Sequence, residues 1–296
     1  MDLMSLIKKM KDDTGIGVSE CKSAIVEASY DYDRAIQILR ERGRALALNK
    51  SSRAVSEGLV GYKLSQDGSK VVLIECNCET DFVSSNERFR ALIDKLLDIA
   101  LTIESDTLSV NNLLDTTFDG ILSSEIVADA IASLGENIVI NRVKVLKSNG
   151  SLIVPYVHNA LSECIYMGQI VSLAFLKHDG VNIDLLSEFG KKVAMHIAAV
   201  APLSLSRESL PRETIDAERA IYIEQVKSSG KPEAIWEKIV DGKMTKFYES
   251  SVLLDQTFII DDKMTVSSAL KEFENNTKHS VTLVDFVRMK VGDKSR

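Results

Sequence analysis

The side chains able to do covalent or metal chemistry are few and scattered. The cysteines are Cys21, Cys76, Cys78 and Cys164, and the histidines His158, His178, His196 and His279. One residue separates Cys76 from Cys78, so on a strand both face the same side. Structural zinc asks for roughly two to four residues between ligands and for a second pair, which Cys21 and Cys164 do not make. Core thiols are the better reading. No H-E-x-x-H pair occurs, and His196 in "AMHIAA" sits among small apolar residues of a helical pattern, where packing explains it. Gly190-Lys191-Lys192 lacks the first glycine and the hydroxyl of a phosphate-binding loop. Gly15-x-Gly17 follows a helix and lacks the third glycine of a dinucleotide fingerprint, so it reads as a helix-to-helix turn. The acid–amide clusters "FENN" and "HDG" fall at turns. No cofactor, no metal and no enzyme activity are therefore expected, although abundant carboxylates leave an accidental acid–base pair open.

One stretch resists such explanations. "CETDFVSS", Cys78 to Ser85, lies between a strand-like run, "KVVLIECN", and a helical one, "NERFRALIDKLLDIAL". A junction of this kind should be polar, yet it carries Phe82 and Val83 side by side behind Asp81. Ser84 with Glu87 fits a capping box and starts a helix at Ser85. That register sets Val83 against Arg88, which cannot serve as an apolar staple. With Ser85 as the cap Phe89 could serve instead, at the loss of the capping box, so capping accounts well for Ser84 and poorly for Phe82-Val83.

The elements around it follow from hydrophobic period. Leu3, Leu6, Ile7 and Met10 recur at helical spacing until "DDTGIG". Ser19 is the expected cap of a second helix that turns Ala24, Ile25 and Ala28 inward. Asp31 or Asp33 starts a third helix, with a stop at Gly43, and "LNKSSRAVSEG" reads as a linker. "GLVGYKLS" and "KVVLIECN" flank Asp67-Gly68, a strong hairpin signal, and a helix with Phe89, Leu92, Ile93, Leu96 and Leu97 on one face comes next. Helical patterns run from about Leu108 to Leu134 before "NIVINRVKVLK" returns to strand. The plan then repeats: "SLIVPYVH" and "GQIVSLAFLKHDG" form a second strand pair, joined by the longer loop "NALSECIYM", and "IDLLSEFGKKVAMHIAAV" a second helix. Between Pro211 and Ser251 lies a helical hairpin, turned at Gly230 and Pro232. The tail reads as a short helix and a closing strand.

With 296 residues, 45% hydrophobic and 27% charged, the chain has room for two or three ordinary globular domains. A net charge of −7 argues against broad nucleic-acid binding, which needs Lys and Arg on phosphates. A protein or small-molecule partner is expected instead. No apolar stretch approaches the ~20 residues of a membrane span. "MDLMSLIKKMKDD" is neither a signal nor a transit sequence, so cytoplasm is the default.

"ETDFV" after "LIECNC" resembles the signature of the bacterial elongation factor Ts family, guanine-nucleotide exchange factors for the translational GTPase elongation factor Tu. "KDDTGIGVSECKSAI", "LGENIVINRV", "AMHIAA" and "SGKPEAIWEKIVDGKMTKF" resemble further family blocks in the expected order, so the similarity spans nearly the whole chain. It implies an α+β fold: a ubiquitin-associated-like domain of three helices over residues 1–50 and a linker at 51–57. A core of two related subdomains would follow at 58–147 and 148–296, the second bearing a protruding helical hairpin at 211–251.

The resemblance also implies site residues. Thr80, Asp81, Phe82 and Val83 would sit on elongation factor Tu beside its magnesium and phosphates, with Phe82 as a wedge and Asp81 as an acceptor or negative charge in the metal network. Thr14, Gly15, Val18, Ser19 and Lys22 would hold the GTPase domain. His158 would reach another part of the partner, with Asn159 and an enlarged loop replacing the family's usual glycine-rich turn. Nucleotide-free elongation factor Tu would be the preferred state, with no direct nucleic-acid contact, and the helical hairpin leaves a homo-oligomer open. Two readings compete: a plain interaction module that binds helices or nascent chains through its N-terminal domain, and a hydrolase or transferase built from scattered Asp, His and Cys.

Overall fold

In the computed structural model, residues 2–105, 107–160 and 165–293 are described. The first helix, α1 (Leu3–Thr14), starts where the Asp2 carboxylate accepts from the Ser5 N–H, and ends at Gly15, whose φ of 74° closes it. Helix α2 (Val18–Glu27) is capped by Gly17, so Ser19 lies inside the first turn and is not the cap expected of it. Asp31 caps α3 (Tyr32–Lys50) by accepting from Arg34 N–H. The stop expected at Gly43 is absent. Gly43 is buried in mid-helix, where an added Cβ would lie 3.3 Å from the Ala132 Cβ of the helix Ser123–Leu134. Its missing side chain permits close approach of two helices and does not end one. Ile7, Met10, Cys21, Ala24, Ile25, Ala35 and Leu39 form the core of the three helices.

Strands β1 (Glu57–Leu64) and β2 (Lys70–Cys78) pair antiparallel from Glu57↔Cys78 to Leu64↔Val71. Gly68 turns between them with φ 68°. Hydrogen bonds from Ser65 and Ser69 hold the Asp67 carboxyl down at about 2. Two helices follow, α4 (Asp81–Ser84) and α5 (Glu87–Thr102). The apolar stripe of α5, Phe89, Leu92, Ile93, Leu96 and Leu97, packs on Val72, Ile74, Cys76 and Cys78 of β2. Both thiols therefore share one buried face, and burial pushes Cys78 up to about 12. Lys70 Nζ donates to the carbonyls of Leu101 and Ile103 at 2.9 and 2.7 Å, satisfying the end of α5.

The helical pattern expected from Leu108 to Leu134 is interrupted. α6 (Val110–Leu114) and α7 (Ser123–Leu134) are separated by a small hairpin, β3 (Thr117–Phe118) and β4 (Ile121–Leu122), turned at Asp119-Gly120 with both residues at positive φ. Strand β5 (Ile138–Lys147) then pairs antiparallel with β2, with a bulge between Glu75 and Cys76.

The second pass supplies β6 (Leu152–His158), the short β7 (Met167–Gly168), β8 (Ile170–His178), α8 (Ile183–Val200), the hairpin helices α9 (Arg212–Lys227) and α10 (Trp236–Ser251), α11 (Val266–Thr277) and β9 (Val281–Lys290). Part of the expected loop "NALSECIYM", with Cys164, lies outside the described residues. The sheet orders are β5-β2-β1-β7 and β6-β8-β9. In each, the second strand of the hairpin is central and the strand that returns after the helices pairs with it, so the two halves share one plan. Phe189, Val193, Ala194 and Ile197 of α8 pack on Val154, Ala174 and Leu176.

The chain forms two compact units. One contains Met1–Lys147, Asn159–Ile170 and Met289–Arg296, and the other Ser148–His158 and Val171–Arg288. The three N-terminal helices thus belong to the same unit as β1, β2 and β5. Among the described residues no helix is long and apolar enough to cross a membrane. The architecture is α+β.

Candidate partner-docking site

Cys78 ends β2, and the chain must turn from an extended strand into a helix within three residues. Thr80, at φ −127° and ψ 159°, is the turning point and the cap of α4, its Oγ1 accepting the Val83 N–H at 3.4 Å. Helix α4 is a single turn. Asn86, not Ser84, caps α5, accepting from Arg88 N–H at 2.9 Å, while the Ser84 hydroxyl donates back to Asp81 O. The capping box expected at Ser84 and Glu87 does not form, because the residues preceding it are themselves helical.

This geometry separates the two apolar neighbours. Val83 is 7% exposed and joins the core beneath α5, whereas Phe82 is 83% exposed. Val83 is thus an anchor, and its side chain is not available to a partner as the sequence reading expected. Asp81 is exposed beside Phe82. A phenylalanine so exposed beside a carboxylate forfeits most of the transfer free energy that burial would give it, about 1.5–3 kcal/mol. It is held out from the core by the turn that anchors its neighbour.

Two further contacts fix the turn. Thr80 donates twice to the Glu136 carboxylate, N–H to Oε2 at 3.0 Å and Oγ1–H to Oε1 at 2.6 Å. One residue earlier the direction reverses, with Glu79 Oε1 accepting from the Asn137 N–H at 2.7 Å. That hydrogen bond holds the Glu79 carboxyl below its ordinary range, with Arg53, 3.4 Å away, adding to the effect. Asn137 Nδ2 donates to Arg53 O at 2.9 Å, tying in the segment after α3. These residues were not singled out by type. "LGEN" stood in the sequence only as one of the family-like blocks, and its signal is Gly135, which ends α7 at φ 78° and delivers Glu136.

Of the other expected contacts, Val18, Ser19 and Lys22 are exposed on α2, Val18 at 50%. Thr14 and Gly15 are half-buried. Thr14 Oγ1 donates to Met10 O at 2.6 Å and accepts from Ile16 N–H at 3.2 Å, so its hydroxyl serves the turn itself. A Cβ at Gly15 would fall 1.5 Å from the Arg88 guanidinium. The Arg88 side chain, from the first turn of α5 and six residues along the chain from Phe82, therefore reaches the N-terminal turn. His158 belongs to the other unit, where it is exposed and its Nδ1 lies 3.3 Å from the Tyr156 hydroxyl. Asn159 adopts φ 54°, the left-handed conformation that glycine favours and asparagine tolerates. At this one position the backbone is glycine-compatible.

No group of three or more His, Cys, Asp or Glu side chains able to hold a metal occurs among the described residues. His196 is buried and hydrogen-bonded to Gln256 at 2.9 Å.

The sequence model of the family described as Elongation factor TS matches residues 79–293. Among curated relatives, Elongation factor Ts of Brucella anthropi is 38% identical over 289 residues, covering 98% of this chain and 92% of the relative. Elongation factor Ts of Agrobacterium fabrum gives the same identity and coverage, and that of Rhizobium johnstonii is 36% identical over 291 residues. With similarity on this scale running through the docking turn and both sheets, the chain belongs to the elongation factor Ts family of translation elongation factors.

Proposed function

We propose that the protein is a cytoplasmic guanine-nucleotide exchange factor that binds elongation factor Tu and speeds GDP release by disturbing its Mg²⁺ and phosphate site. The observation that carries this reading is Phe82, 83% exposed at the tip of a capped, anchored turn, with Asp81 exposed beside it. A translational GTPase holds its nucleotide through a phosphate-cradling backbone and a bridging Mg²⁺. An aromatic side chain inserted between those elements displaces the groups that order the metal, and a neighbouring carboxylate competes for its network. The chain itself makes and breaks no covalent bond.

Magnitudes bound the role of the wedge. Accelerating release about 10⁴-fold requires roughly 5.5 kcal/mol of selective destabilisation, and burial of one phenylalanine supplies about 1.5–3 kcal/mol. Other contacts must favour the nucleotide-free partner. The exposed face of α2 with Val18, Ser19 and Lys22, which sits in the same unit, is the natural source. Because coupling is reciprocal, GDP must loosen this protein from its partner by the same factor.

The test is release of fluorescent GDP from purified elongation factor Tu. Phe82→Ala should cut the acceleration at least about tenfold, the equivalent of ~1.4 kcal/mol. Its folding stability should stay within about 0.5 kcal/mol, since the side chain is exposed. An unchanged release rate removes the wedge. Equal affinity for empty and GDP-loaded partner removes the exchange function altogether.

A further inference from the structure

We propose that Glu136 is a positioning residue for the docking turn: its carboxylate holds Thr80 so that α4 stays folded and Phe82 stays projected before any partner arrives. The inference rests on the exchange reading above for its functional consequence, and on geometry alone for the clamp.

A single helical turn has no stability of its own, because nucleation fixes several residues for one hydrogen bond. Helix α4 is four residues long. Two supports compensate. Val83 is sunk in the core at one end, and Thr80 is pinned at the other by two bonds to one carboxylate, at 3.0 and 2.6 Å. The pinning is directional. With its proton given to Glu136, the Thr80 hydroxyl can only accept along the helix, and the donor it meets is Val83 N–H. Carboxylate, hydroxyl and amide thus form a short polarised chain, in which each bond strengthens the next.

The reverse bond from Asn137 N–H to Glu79 makes a second rung. Residues 79–80 and 136–137 are therefore cross-linked in both directions, although 56 residues separate Thr80 from Glu136. Phe82, like Asp81 before it, has neither a buried side chain nor a side-chain hydrogen bond to hold it. Its direction is set wholly by these neighbours. Without Glu136, Thr80 loses the acceptor for both its donors. The turn would then sample extended conformations, and the ordering would have to occur on the partner, at the expense of the exchange transition state.

The experiment compares Glu136→Ala, Glu136→Gln, Thr80→Val and Thr80→Ser. Amide hydrogen exchange of the free, full-length protein reads the clamp without any partner. Exchange at Thr80 and at Val83 to Ser85 should rise at least about tenfold in Glu136→Ala and Thr80→Val. It should rise by less in Glu136→Gln, which keeps one acceptor oxygen, and stay near wild type in Thr80→Ser, which keeps the hydroxyl. GDP release from elongation factor Tu is then measured against exchange-factor concentration. The maximal rate should fall about tenfold in the first two variants while the half-saturating concentration changes less, the pattern of an interaction realised in the transition state.

Unchanged amide exchange over the turn in Glu136→Ala overturns the proposal. So does a lowered melting temperature with the maximal rate intact, the mark of a purely structural residue. If Glu136→Ala does not fold, Thr80→Val carries the same test by deleting one hydroxyl. A wild-type protein that fails to accelerate release defeats the exchange reading instead, and amide exchange then decides the clamp by itself.

Discussion

Glu75 offers the strongest test of how the first unit is held together. Its side chain is fully buried on β2, where the carboxylate accepts from Arg142 Nε at 2.5 Å and from the Gly292 N–H at 2.8 Å. Arg142 also donates to Lys290 O at 2.6 Å, and its side chain is only 17% exposed. Glu75→Ala would leave a largely buried guanidinium without its counter-charge and an amide without its acceptor. Breaking a buried pair from one side costs about 3–5 kcal/mol. The residual exposure of Arg142 lets some water in and points to the lower half, about 3–4 kcal/mol. For a unit of this size a stability loss of 1 kcal/mol lowers the melting temperature by about 2–4 °C, so a fall of roughly 6–16 °C is expected. The double replacement Glu75→Met with Arg142→Met removes both charges and roughly keeps the volume; the exposed Gly292 amide is left to water, and the variant should recover most of the loss. Urea denaturation gives the free energies, and amide hydrogen exchange assigns the loss to the unit containing β2 and β5. Glu75→Ala within about 1 kcal/mol of wild type, or a double variant no better than the single one, would refute the reasoning.

Two more perturbations probe the second unit. A Cβ on Gly190 of α8 would lie 2.7 Å from Val154 Cγ2 and 2.8 Å from Leu176 Cδ1. Overpacking of about 1–3 kcal/mol should outweigh the ~1 kcal/mol that alanine adds to a helix, whereas Gly242→Ala on α10, which meets open space, should stabilise by up to ~1 kcal/mol. Thermal melts of the two variants should move in opposite directions. His196 is the pH-sensitive group of this unit. Burial lowers it below its ordinary 6.5, while its bond to Gln256 acts the other way. Gln256 Nε2 donates to Ser250 O and Ile259 N–H donates to His196 Nδ1, so the ring is neutral with its proton on Nε2. Around and below pH 6.5 the unfolded chain binds a proton that the folded one refuses, so stability falls as pH drops through that window. Urea midpoints at pH 7.5 and 5.5 should differ more for wild type than for His196→Gln, and equal differences would exclude His196 as the source.

Elements with a sustained period were legible in the sequence. The β1–β2 hairpin announced itself through Asp67-Gly68, α5 through its stripe from Phe89 to Leu97, and α9–α10 through Gly230 and Pro232. What escaped was short or distant. Helix α4 is too brief for a period to develop, so Ser84 was read as a cap although the cap is Asn86, and Val83 was read as exposed although it is buried. Gly43 carries the same symbol whether it ends a helix or admits a neighbouring one. Only the position of Ala132 distinguishes the two. The site divides in the same way. Phe82 stood out because an unpaired aromatic is anomalous at a polar junction, but Glu136 is an ordinary surface-type residue whose role depends on a contact across 56 positions. Locally only Gly135, the stop of α7, marks its place, and nothing nearby in sequence marks its partner.

The bond from Gly292 to Glu75 spans 217 positions and has a bearing on biosynthesis. A ribosome adding roughly 5–20 residues per second needs on the order of ten to forty seconds to travel that far. Throughout the interval β2 exists as nascent polypeptide whose acidic side chain lacks one of its final partners, and Met167–Gly168, the outer neighbour of β1, emerges only midway. The hydrogen bonding of the first unit is therefore completed only after Gly292 has been added. A message cut short before that point would leave the buried Glu75 carboxylate with Arg142 but without its second donor.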